Sequence, residues 1–74
     1  MLPEQTDQTI RREVQEHFLT RAAEAFASVA VRDEITNLVI ARLNLTNVVE
    51  DFGYAAVFYV VVDALQENTY ARCA

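Results

Sequence analysis

Apolar residues recur along the N-terminal third of the chain at steps of four and three: Ile10, Val14, Phe18, Ala22, then Ala25 or Phe26, then Val29. That spacing lays them on one stripe of an α-helix. Arg11, Arg12, Gln15, Glu16, Thr20 and Glu24 mostly fall off the stripe, so the pattern predicts a long amphipathic helix from about Thr6 to Val31. Thr6 or Asp7 is placed to cap its start with a side-chain oxygen. Glu4 and Asp7 suit the positive end of its dipole.

A second, shorter helix is predicted from Asp33, a good N-cap type, to Leu43, with Ile35, Leu38, Val39 and Leu43 at helical spacing. No glycine or proline marks the boundary near Val31–Arg32, so the first two segments also fit one kinked helix. Asn44 to Asn47 reads as a connector of residues that bond their own backbone.

The third helix is predicted to start near Asn47, where Asn47 and Glu50 have the spacing of a capping box. Val48, Val49, Phe52, Ala56, Tyr59, Val60 and Asp63 share one face, while Tyr54, Val57, Phe58, Val61 and Leu65 cover most of the rest. A helix apolar nearly all round is buried on most sides, and 74 residues offer little material to surround it. The fold class read from this is all-α, with two to three helices that complete a bundle by oligomerisation. Gln66 to Ala74 continues or frays the last helix. An α+β alternative stands beside it: residues 41–46 alternate apolar and polar, and residues 57–62 are all β-branched or aromatic, so the two runs also suit an antiparallel pair of strands.

Composition sharpens this picture. One glycine and one proline leave few tight turns, which favours long helices, and the length fits a single domain over residues 1–74. The hydrophobic fraction is 53%, high for a small soluble chain. The single cysteine, Cys73, cannot form an intrachain bridge; it reads as a free thiol suited to a reducing compartment, or as a bridge between two copies. Eleven acids against six arginines, with no lysine, give a net charge of −5. That balance argues against direct contact with nucleic-acid phosphates and against anionic membrane surfaces. The N-terminus lacks the pattern of a signal peptide, and the apolar run from Tyr54 to Val62 is too short to span a bilayer. A cytoplasmic location is the expectation.

Few residues point to chemistry. Glu13, Glu16 and His17 share a helix turn, and Asp63 and Glu67 are spaced to add carboxylates, so a carboxylate–histidine metal site assembled across chains is one reading. The spacing departs from the Glu-x-x-His pattern of such sites, and a solvated polar face is the plainer reading. Asp63 interrupts an apolar helix; it either emerges into water or pairs with an arginine such as Arg42 or Arg21. Ser28, His17 and Cys73 form no nucleophile–base arrangement, and no glycine-rich loop is present to cradle phosphate. Tyr54, Phe58 and Tyr59 suit core or interface packing rather than a ligand box. Asp33-Glu34 and Glu50-Asp51 lie near predicted helix starts, where acids are stabilising.

The function read from the sequence is therefore a non-enzymatic protein–protein interaction or regulatory module, without a cofactor. It is expected to self-associate through its third helix and to bind a protein partner. The expected contact residues are Val49, Phe52, Ala56, Tyr59, Val60 and Asp63, with Phe18, Ala22 and Phe26 packing against them. Two alternatives are an acidic mimic of nucleic acid that binds a basic protein through Asp33, Glu34, Glu50 and Asp51, and the metal site above.

Overall fold

The computed structural model describes the backbone of residues 2–73 and the side chains of residues 2–67. Cys73, and with it the bridge between copies, lies outside the described side chains. Among the described residues the chain forms α1 (Glu4–His17), a 3-10 turn (Leu19–Arg21), α2 (Ala22–Ala27), α3 (Val29–Leu43), α4 (Thr46–Phe52) and α5 (Tyr54–Cys73). All-α is correct. The strands considered for 41–46 and 57–62 do not form: the first run covers the end of α3, the connector and the first residue of α4, and all of the second lies in α5.

The helices are more numerous than the two to three expected, because the long predicted segments are broken. The first breaks twice. At Phe18 the backbone leaves helical geometry (φ −125°, ψ 3°) and tightens into the 3-10 turn. At Ser28 it is extended (φ −147°, ψ 124°), so α2 and α3 are separate helices packed together. Arg32 spans that break, donating a 2.7 Å hydrogen bond to the Ala25 carbonyl, which also accepts the Ser28 N–H at 3.4 Å. The second segment therefore starts at Val29 rather than Asp33. The third is split at Gly53, which sits at φ 91°, ψ 153°.

The predicted caps shift as well. Pro3 precedes α1, and the Asp7 carboxylate is held by the Arg11 guanidinium at 2.6 Å instead of turning back to an amide. Asn47 lies inside α4, whose N-cap is Leu45. Asn44 adopts the left-handed conformation (φ 56°), with its N–H bonded to the Ala41 carbonyl and the Leu45 N–H to the Ile40 carbonyl at 2.9 Å. This is a Schellman stop, and it turns the Leu45 side chain into the core.

One core holds the chain together. Ile10 and Val14 from α1, Phe18 just past its end, Ala25 from α2, Ile35 and Val39 from α3, and Leu45 from the connector meet Val57, Val61, Ala64 and Leu65 of α5. Thr36, the buried polar residue among them, returns its hydroxyl to the Arg32 carbonyl at 2.8 Å. α5 is the central element, packed against α1, α2, α3 and α4. This changes the argument for oligomerisation. The accessible surface is 4736 Å², against about 4600 Å² expected for a folded monomer of 8.4 kDa. Within one chain α5 is packed against four other helices, and Val57, Val61, Ala64 and Leu65 are fully buried.

Tyr54 ties the start of α5 to α3. Its hydroxyl donates to the Asp33 carboxylate. Burial of the phenol, helped by the negative charge of Asp33, pushes its pKa from 10.0 up to about 12. In the unfolded chain the phenol ionises first, so its contribution to stability is intact below pH 10 and is lost as the pH rises toward 12. Denaturation midpoints of the wild type should fall across that window. Tyr54→Phe should flatten the fall, and a wild-type curve parallel to the mutant's would remove the assigned role.

Candidate functional site

An open groove of about 650 Å³ lies along the seam of α1 and α5. It exists because the two helices meet over the buried stripes Ile10/Val14 and Val57/Val61/Leu65, while the next residues round each helix diverge toward solvent. The α5 wall presents Ala56, Val60 and Tyr59, and the α1 side contributes Leu2, Asp7 and Arg11. Ala56 and Val60 are half-buried, whereas Tyr59 is 70% exposed. Its ring meets Phe58 edge-on at 6.0 Å, and Phe58 in turn lies against Tyr54, so an aromatic ladder runs along α5 from partly covered to open.

Arg11 stands at the charged side of the groove. Its Nε donates to Asp7 at 2.6 Å, and one terminal nitrogen lies 2.9 Å from both Asp63 and Glu67. The three carboxylates hold the guanidinium pKa above its ordinary value, with the Asp7 hydrogen bond the largest cause. Asp63 is thus half-exposed and paired with Arg11, not with the expected Arg42 or Arg21. Those two arginines bind elsewhere: Arg42 pairs with Glu13, and Arg21 with Glu34 and Glu24.

Of the nine residues expected at a contact face, Ala56, Tyr59, Val60 and Asp63 line this one groove. Val49 and Phe52 lie on α4, beyond the Gly53 turn; Val49 packs on the core and Phe52 is 43% exposed. Phe18 is buried within the chain, Ala22 packs against the core, and Phe26 is 39% exposed on α2. Leu2, Asp7 and Arg11 were not anticipated as site residues. The i,i+4 pair Asp7–Arg11 was visible in the sequence; its position opposite Asp63 was not.

The carboxylates proposed for a metal do not converge within one chain. Glu13 is bound to Arg42 and lies 3.9 Å from His17, while Asp63 and Glu67 gather on Arg11. Among the described residues no group of three or more His, Cys, Asp or Glu side chains is placed to hold a metal ion. The acids of the mimic reading are also divided: Asp33 accepts from Tyr54 and Glu34 pairs with Arg21, while Glu50 and Asp51 are exposed on α4. Among the described residues no helix is long and apolar enough to cross a membrane. Comparison of the chain with family models, curated proteins and solved structures finds no match. The fold and groove define a small all-α protein with an amphipathic surface cleft.

Proposed function

We propose that the protein is a non-catalytic protein–protein interaction module, and that the α1–α5 groove is its contact face. The observation that carries this is Tyr59: a large ring 70% exposed, rising from an apolar wall of Ala56 and Val60. Tyrosine is enriched among the few anchor residues from which interfaces draw most of their energy. On this reading the unbound chain is folded and the contact is reversible, as regulation by docking requires.

Selection of helical peptides from a displayed library tests this without knowledge of the partner. Clones should bind the wild type and lose at least about ten-fold in affinity on Tyr59→Glu, a loss typical of an interface anchor. A library that yields no binders, or only binders indifferent to Tyr59, would exclude the groove as a contact face.

A second reading seats another copy of the chain on the same face, favoured by Ala56, Tyr59 and Val60 sharing one wall as the self-association reading requires. Sedimentation velocity across a concentration series decides it: a dimer that Tyr59→Glu dissociates supports it, and a monomer throughout ends it.

A further inference from the structure

The charge of the groove says which occupant it fits. Resting on the reading of the groove as a contact face, we propose that it takes a basic amphipathic helix from another protein: an apolar stripe seated on the α5 wall, with Lys or Arg along its edge meeting Asp63 and Glu67. Asp7, Asp63 and Glu67 all converge on the single guanidinium of Arg11. Among the described residues that leaves a surplus of two negative charges at one side of an apolar cleft. Asp63 and Glu67 each use one carboxylate oxygen on Arg11, and their side chains are 52% and 51% exposed. The half-exposed carboxylates keep a second oxygen each that no contact with Arg11 uses, which an incoming cation can meet.

The same surplus weighs against a second copy. Each chain carries −5 overall, and two grooves face to face would bring like charges together, which disfavours the wrong partner. The shape suits a helix. From Ala56 to Gln66 the α5 wall runs about 15 Å, roughly three turns, enough for anchors at i, i+3 or i+4, and i+7. The open face of Tyr59 adds a surface on which an ammonium or guanidinium is attracted to the ring.

Fluorescence anisotropy with three synthetic helical peptides tests the proposal. All share one leucine face, and the edge residues are lysine, glutamine or glutamate. The lysine peptide should bind roughly ten-fold tighter than the glutamine peptide at low salt, with the advantage shrinking as salt is raised. The glutamate peptide should bind weakest. Asp63→Asn combined with Glu67→Gln should bring the lysine peptide down to the level of the glutamine peptide.

Tyr59→Glu separates groove seating from general attraction to an acidic protein. It adds negative charge, so charge alone would hold or tighten the lysine peptide, whereas seating on the α5 wall would be lost. Equal binding of all three peptides, each lost on Tyr59→Glu, overturns the basic occupant and leaves the groove reading standing. Binding of none of them overturns the proposal, while the library selection judges the groove by itself. A stable dimer that blocks the lysine peptide assigns the groove to a second copy and likewise overturns it.

Discussion

Ile35→Ala should lower the unfolding free energy by about 2–5 kcal/mol. Ile35 is 0% exposed and belongs to the cluster in which α3 meets α1 and α5. Its truncation removes the transfer free energy of the lost methylenes and leaves a cavity that the surrounding helices fill only in part. A chain of 74 residues has about 4–11 kcal/mol in all, from 0.05–0.15 kcal/mol per residue. The single change therefore removes a large share of the total, and the melting temperature should fall by about 10–30 °C. Leu38→Ala is the control on the same helix. Leu38 is 40% exposed, and its loss should move the transition only slightly. Equal effects at the two positions would mean that α3 does not present the face described above.

Gly53→Ala should cost about 1–3 kcal/mol without any steric clash. A Cβ built on Gly53 meets no atom within 4 Å, so space is not the difficulty. The backbone is: φ 91° with ψ 153° lies in a region open essentially to glycine. The turn ends α4, sends the chain into α5 and accepts no ordinary L-residue at that angle. A chemically synthesised chain with D-alanine at this position makes the cause visible, because the mirror-image residue favours positive φ and should recover most of the loss. Urea denaturation of the three proteins measures both effects. An L-alanine variant as stable as the wild type would show that the turn relaxes freely.

These two residues also show what the sequence discloses and what it withholds. Ile10, Val14 and Phe18 at steps of four were enough to read α1 and its buried side; α1 buries Ile10 and Val14, and Phe18 is buried just past its end. Residues 22–27 are four alanines with Glu24 and Phe26; alanine suits a helix but marks neither its ends nor its inner face, so the breaks at Phe18 and Ser28 left no local trace. α3 and α5 are apolar on several sides, so periodicity could not say which side turns inward. In α5 the answer is Val57, Val61, Ala64 and Leu65 inside, with Tyr59 outside. The Gly53 turn had a signal, the lone glycine of the chain, but the apolar run on both sides of it read as one helix.

The groove was legible by halves. Its α5 wall follows from the apolar stripe Ala56, Tyr59 and Val60, which lies on one helix and needs no knowledge of the fold. Its α1 side does not, since pairing Arg11 with Asp63 and Glu67 requires knowing that the first helix lies along the last. An arginine chosen by chemistry alone, Arg42 or Arg21, was as good a partner as Arg11 until the helices were placed. Each of the three has a carboxylate within its own reach: Glu13, Glu34 and Asp63, respectively.

The seam of α1 with α5 has a consequence for how the chain acquires its shape. Arg11 and Glu67 are 56 positions apart, and the apolar stripe of α1 finds much of its cover on α5, which is synthesised long after it. A nascent chain can coil its early helices as they emerge, yet the burial of Ile10 and Val14 is complete only once Val57 to Leu65 have left the ribosome. Closure of so long a span comes before the contacts that reward it, so final burial is a late and concerted event, and the interval before it is when a chaperone would find the most to hold.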